Sequence, residues 1–381
     1  MRRTEKGASV DQRTTELANI LVNYSCAIKK DDRLLVEANG FDSLDLIAEI
    51  IRIATKKGAF VFHQFRHDTT QRALLTHANE EQIKAQAKYP LYQMKDMDCY
   101  IGVRATPNIA ELSDVPSKKT AWFAKHYGIP VHLKVRVPNT RWVVLRYPNY
   151  AMAQSAKMPL SAFEDFYYDV CTMDYGKMSR AMNPLKRLMD RTDHVQIMAP
   201  GTDLEFSIKG LTSIKCAGKL NIPDGECFTA PVRESIEGKV RFNAGSLLEG
   251  VVFEDIDLVF SKGRVVEAKS GANTKKLNEI LDRDKGARYV GEFAFGFNPF
   301  ITKPMLDILF DEKIAGSFHM ALGNAYDECD NGNKSSLHWD LVQIQTPKKG
   351  GGEIWLDGKL IRRNGRFIPK SLQGLNPENL R

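Results

Sequence analysis

Residues 33–65 read RLLVEANGFDSLDLIAEIIRIATKKGAFVFHQF, and this stretch decides the fold of the first half of the chain. RLLVEA (33–38) is a short apolar run of buried-strand length. Asp42 and Ser43 supply helix-capping side chains, a helix then runs through Lys57, and Gly58 follows as its stop. AFVFHQF (59–65) is again strand-like. Strand, helix and strand in immediate succession make a βαβ unit, whose two strands run parallel with the helix packed on the sheet.

The same rhythm extends in both directions. Upstream, residues 12–26 read as a helix with Leu17, Ile20, Leu21 and Tyr24 on one face. Downstream, 80–94 is helical and 99–103 a strand. Residues 108–127 are largely helical, interrupted by Pro116 and ended at Gly128, and 131–135 and 142–145 read as strands. The expectation is an α/β N-terminal domain with an open, mostly parallel sheet. A long helical region from about 161 to 191 carries Phe163, Phe166, Tyr167, Val170 and Cys171 at helical spacing, the pattern of a core face.

After about residue 198 the pattern changes. LEFSIKG (204–210), LVFSKGRVVEA (258–268) and EIWLDGKLIRRNGRFI (353–368) are strands joined by tight turns at Lys262-Gly263, Asp357-Gly358 and Asn364-Gly365. Asp-Gly and Asn-Gly supply the positive φ that two-residue hairpins need. A helix near 275–284 interrupts the β pattern. This predicts an α+β, antiparallel-rich C-terminal domain, with the boundary near residue 195: domains of 1–195 and 196–381.

Composition narrows the function. The chain has 381 residues, 43% hydrophobic and 27% charged, and a formal charge of +7 spread along its length. That is a soluble globular profile without the clustered basic patch of a nucleic-acid binder. No apolar run is long enough for a membrane span, and the polar start MRRTEKGASVDQ lacks the apolar core of a secretion signal. Six scattered cysteines (26, 99, 171, 216, 227 and 329) form no CxxC pair, so a reducing cytoplasm is expected.

The chemistry concentrates between residues 226 and 340. Glu226 stands in GECFTAP, Glu292 in GEFAFGFNP, His319 in GSFHMALG, and His338 with Asp340 in SSLHWD. Two imidazoles and three carboxylates suit a pair of divalent metals. In a strand, His338 and Asp340 point to one face with Trp339 on the other. Likewise Ser317, His319 and Ala321 share a face opposite Phe318, Met320 and Leu322. Either glutamate, among apolar neighbours, must be paired, hydrogen-bonded or metal-bound, and a buried salt bridge is the plain alternative for each.

Taken together, these blocks resemble the thermophilic-type metallo-aminopeptidases, the group of aminopeptidases T, S and PepS. LANILVNYSCAIKKDDRLLVEA (17–38) is similar to the family's opening helix and strand. GECFTAPVRESIEGKVRF (225–242), ARYVGEFAFGFNP (287–299), LFDEKIAGSFHMALG (309–323) and LHWDL (337–341) resemble its metal-site blocks, in order. The resemblance implies that Glu226 and Glu292 are carboxylate ligands, with Glu292 bridging two metals and acting in catalysis. It implies His319, His338 and Asp340 as the remaining core ligands, Glu312 as a further acidic contact, and Tyr326 as the active-site tyrosine. Cys227, beside a ligand, is placed to influence metal preference. The implied enzyme is a cytoplasmic, homodimeric metallo-aminopeptidase. It would use two divalent ions (zinc, cobalt or manganese) and no other cofactor, and act on a peptide or small aminoacyl substrate. The same pattern also resembles mononuclear iron(II) 2,5-dihydroxypyridine dioxygenases, for which His319, His338 and Asp340 would suffice.

Overall fold

The structure, a computed structural model, describes residues 10–381, and they pack as two compact units. The first comprises the described residues up to Thr172 together with Gly218–Ile222, and the second Met173–Ala217 with Pro223–Arg381. The division therefore falls after Thr172 instead of near residue 195. The predicted 161–191 helix is two helices, Leu160–Cys171 and Tyr175–Met189. Asp174 separates them by accepting a hydrogen bond from the backbone N–H of Lys177, which starts the second helix.

The first unit holds a five-stranded sheet in the order Phe60–Arg66, Arg33–Asn39, Cys99–Arg104, Arg141–Arg146, Asn221–Ile222. All its pairs are parallel, as the βαβ reading requires. Leu44–Lys56 is the first crossover helix. Ser43 occupies its N-cap, but no side-chain capping bond forms there, and the Ser43 hydroxyl is buried without a partner.

Two local expectations fail. Helix begins at Ser117, after Pro116, instead of near 108: Pro116 is the non-helical N-cap, and a proline disfavours helical backbone at the residue before it. The chain then stays helical through Ala124–Arg136, so 131–135 is not a strand. The apparent alternation of Val131, Leu133 and Val135 is misleading, since Leu133 is 61% exposed. Tyr127 and Val131, four residues apart, are buried against Leu35, Met94, Met97 and Tyr100. No ladder position is left for a strand here, because Cys99–Arg104 pairs directly with Arg141–Arg146.

The second unit contains an eight-stranded antiparallel sheet and a five-stranded one. All three predicted turns carry the expected backbone: φ is +48° and +75° at Lys262-Gly263, +47° and +72° at Asp357-Gly358, and +52° and +78° at Asn364-Gly365. The five-stranded sheet runs in the order His338–Ile344, Ser317–Gly323, Val290–Gly296, Glu226–Thr229, Ile214–Cys216, antiparallel throughout. One face is aromatic and apolar. Phe293, Phe295 and Phe318 are fully buried, and Phe293 meets Phe206 of the larger sheet at 5.0 Å between centroids. Each such ring contributes about 1.5–3 kcal/mol by burial. That packing holds the strands in register, and register decides what lies on the opposite face.

Candidate metal centre

Cross-strand pairing places the predicted residues together. Glu292 pairs with Ala321, which pairs with Asp340. Ala294 pairs with His319, Gly296 with Glu226, and Gly323 with His338. Residues directly opposite in an antiparallel ladder share a face, as do residues two apart in one strand. Glu226, Glu292, His319, His338 and Asp340 therefore all project from the face opposite the phenylalanines. Between them lie Ala294, Gly296, Ala321 and Gly323, whose small side chains leave room.

The distances are short. His319 Nε2 lies 3.2 Å from Glu292 Oε1, 3.4 Å from Glu226 Oε2 and 4.0 Å from Asp340 Oδ1. His338 Nε2 lies 3.5 Å from Glu292 Oε2 and 3.6 Å from Asp340 Oδ1. Glu312 joins them from the helical turn ending at Asp311. Glu226, Glu312 and His319 offer donor atoms within 4.8 Å of one another, and so do Glu292, His319 and Asp340.

Both imidazoles are oriented through their far nitrogen. His319 Nδ1 donates to the Glu312 carbonyl at 3.0 Å, and His338 Nδ1 to the Asn324 carbonyl at 2.8 Å. With Nδ1 donating to a main-chain carbonyl, Nε2 faces the carboxylates, where a metal would take the place of its proton, as in a metal-binding histidine. The loop before His338 is itself fixed. Asn333 Nδ2 donates to the Gly286 and Gly323 carbonyls at 2.9 and 2.6 Å. Asp284 accepts from the Ser335 hydroxyl and from the backbone and hydroxyl of Ser336.

The electrostatics call for cations. Glu226, Glu292, Glu312 and Asp340 put four carboxylates in a nearly dry site. Burial pushes the Glu226 and Glu292 carboxyls above their ordinary range, and raises Glu312 to about 6 against the pull of Lys313. Burial also works against Asp340, but His338 and His319 outweigh it and hold that carboxyl at about 2. Burial would lower both imidazoles, yet the surrounding carboxylates lift His319 to about 9 and His338 to about 10. The buried Glu226 Oε2 has no hydrogen-bond partner. An orphaned buried carboxylate oxygen, two Nε2 atoms aimed at the carboxylates and a set of oxygen and nitrogen donors fit divalent ions.

Two neighbours escaped the sequence reading. Lys313 is fully buried, ion-paired with Glu312 and 3.8 Å from Glu226 Oε1. It is the salt-bridge partner foreseen as the plain alternative for the glutamates, and with the two imidazoles, lifted to about 9 and about 10, it makes three cations at neutral pH, one short of four ionised carboxylates. The thiol nearest the site is Cys216, paired across the ladder with Glu226 and grouped with Asp224. Cys227, adjacent in sequence, points to the other face because strand side chains alternate. Only the flanking DEK run hinted at Lys313, and nothing local marked Cys216.

Tyr326 sits at the rim. It is 43% exposed, with its ring 4.6 Å from that of His338 and 5.7 Å from that of Phe228. Burial of the hydroxyl and then the charges of Glu292 and Asp340 push its phenol far above the ordinary tyrosine range, so it remains a proton donor.

Comparison with known proteins supplies the family. Residues 10–367 match the thermophilic metalloprotease (M29) family, and the chain belongs to that family. It is 38% identical over 197 residues to aminopeptidase T of Thermus thermophilus and 32% identical over 207 residues to that of Thermus aquaticus. The chain spans about half the length of these two relatives, 47% and 48%. It is 24% identical to aminopeptidase AmpS of Bacillus subtilis over 88% of this chain and 90% of that one. In fold it is similar to AmpT from Thermus thermophilus, with a TM-score of 0.80 at 21% identity, covering 95% of this chain and all of that one. It is also similar to 2,5-dihydroxypyridine dioxygenase from Pseudomonas putida, with a TM-score of 0.61 at 12% identity, covering 96% and all.

Lys313→Met tests the charge balance. With divalent metal withheld by a chelator, Glu226 and Glu312 lose their buried counter-ion, and the variant is expected to lose about 3–5 kcal/mol of stability in chemical denaturation. Saturating metal should return a large part of that loss. An equal loss with and without metal contradicts the electrostatic account.

Proposed function

We propose that this chain is a dinuclear metal-dependent aminopeptidase, and the position of Glu292 carries the reading. Its two oxygens face different imidazoles, Oε1 toward His319 at 3.2 Å and Oε2 toward His338 at 3.5 Å. That is the disposition of a carboxylate shared by two ions. Glu226, Glu312 and His319 would hold one ion, and His338 with Asp340 the other. Bound there, two divalent ions such as zinc, cobalt or manganese supply a water-derived nucleophile at neutral pH and polarise the scissile carbonyl.

The chain's own residues do the rest. Glu292 is placed to take the proton released when water attacks. The Tyr326 phenol donates a hydrogen bond to the oxygen on which negative charge develops. A free α-amine could be held by one of the ions or by Glu312, which supports exopeptidase action on peptides or aminoacyl compounds. Tight Nδ1 bonds keep both histidines in place through the cycle.

A mononuclear dioxygenase needs only His319, His338 and Asp340. It gives no work to the buried Glu226 and the half-buried Glu312, which sit in the same site at a cost in desolvation. Six unpaired cysteines support a cytoplasmic setting, and a homodimer is part of the proposal. Among the described residues no helix is long and apolar enough to cross a membrane.

The direct assay is hydrolysis of leucyl p-nitroanilide beside its N-acetylated form. Metal-loaded protein should cleave the free amine and spare the acetylated one, and a chelator should abolish cleavage reversibly. Oxygen uptake with 2,5-dihydroxypyridine and no hydrolysis would replace this reading with the dioxygenase.

Glu292→Gln removes the charge between the ions. Turnover should fall by at least about 100-fold, in line with loss of a positioned acid–base group, and metal content should drop. Near-normal turnover with full metal content would assign Glu292 another role.

Tyr326→Phe keeps the ring and deletes the donor. Turnover should fall about 100- to 1,000-fold, the usual cost of one oxyanion donor at about 2.7–4 kcal/mol. The KM and metal content should hardly move. Turnover within about twofold of the parent would leave the oxyanion to another donor.

A further inference from the structure

The first unit has a cavity of its own, about 530 Å³, in the size range of small-molecule sites. Its position follows from topology. Numbered along the chain, the first four strands are ordered 2-1-3-4, so the connections leave strand 1 in opposite directions and the chain parts between strands 1 and 3. In parallel sheets, ligands bind outside the carboxyl ends of the strands at such a switch point. The cavity lies there. It is lined by Glu37 and Asn39 late in strand 1, Arg66 at the end of strand 2, and Gly102 and Arg104 late in strand 3.

The lining has a definite chemical bias. Three guanidiniums (Arg66, Arg104 and Arg136) face two carboxylates (Glu37 and Asp68), leaving one net positive charge. Burial lowers His132 to about 4, so it adds none at neutral pH. Both Glu37 oxygens are engaged, one by Arg66 Nε at 3.0 Å and the other by the Tyr100 hydroxyl at 3.2 Å.

Arg136 is the unusual member. Only 8% exposed, it lies 4.1 Å over the Trp142 ring and 5.2 Å from that of Tyr100, with Nε bonded to His132 Nδ1 at 3.2 Å. Its Nη1 is buried with no hydrogen-bond partner. Gln71, on the same cavity wall, also has a buried Nε2 without one. Buried donors are ordinarily satisfied, and both residues line the cavity, so a small rotation of either side chain toward it would offer an unsatisfied donor to an acceptor-rich anion beside the net positive charge. Phe123, Tyr127 and Ile129 supply apolar wall for the rest of such a molecule.

We propose that this cavity is a binding site for a small organic oxyanion, a carboxylate or phosphate monoester on an apolar body, gripped by Arg136 and Gln71. Every lining residue belongs to the first unit, and every candidate metal ligand to the second. None of the lining residues is a candidate metal ligand.

The test is titration of the full-length protein with 3-phenylpropionate and with phenyl phosphate, beside inorganic phosphate as a bare ion, followed by calorimetry and by Trp142 fluorescence. At least one organic probe should bind more tightly than inorganic phosphate and change the emission that Trp142→Phe removes. Arg136→Gln should weaken that binding tenfold or more. Should Arg136→Gln fail to fold, Gln71→Leu, on a partly exposed helix, should still weaken it severalfold. The ratio of the two probes tells whether the carboxylate or the phosphate is the natural headgroup. Failure of both organic probes to bind, binding no tighter than inorganic phosphate, or unchanged affinity in the variants overturns the proposal.

Discussion

Four carboxylates meet on one face of a five-stranded sheet, nearly out of water, and without metal only three cationic groups, Lys313 and the two protonated imidazoles, stand against them. Mutual repulsion of that kind in a low-dielectric site is destabilising unless protons or cations intervene. The site is built so that cations do it better. Two imidazoles aim Nε2 into the cluster, each fixed by an Nδ1 bond to a main-chain carbonyl, and Glu226 keeps one oxygen without a hydrogen bond. The arrangement stores a charge imbalance that divalent metal relieves.

What holds that imbalance in place is the other face of the same strands. Phe293, Phe295 and Phe318 alternate with Glu292, Ala294 and His319, so each turn of the pleat that buries an aromatic ring also aims a polar group. A slip of one residue would bury the carboxylates among phenylalanines, which makes the register self-enforcing. The bulge beside Glu292 fits this picture. Gly291 there lies so close to the Asn324 carbonyl that any Cβ would fall 2.3 Å from it. The same Asn324 carbonyl receives the Nδ1 bond of His338, so this glycine brings the loop and the ladder together.

Much of this was legible in the sequence, because strand alternation is local. Period two alone put His338 with Asp340, and His319 with Ser317 and Ala321, and the Asp-Gly and Asn-Gly turns announced their hairpins. Strand adjacency is not local. Nothing near Glu226 says that its strand lies beside that of Glu292, or that Cys216 is brought to it while Cys227 is turned away. Lys313 reads as a surface lysine until the fold buries it. In residues 131–135, alternating apolar residues mimicked a strand while the helical spacing of Tyr127 and Val131 prevailed, since the sheet needed a cover more than another strand. The break at Asp174 depends on one capping bond inside an otherwise continuous helical pattern.

The central claim is that the carboxylate cluster exists to hold two divalent ions. The most direct measurement is a stoichiometric metal titration of stripped protein, with bound metal counted by elemental analysis and leucyl p-nitroanilide hydrolysis followed at each step. The account predicts saturation at two ions per chain, with activity rising to its maximum as the sites fill. Saturation at one ion per chain, with full activity reached there, would contradict it.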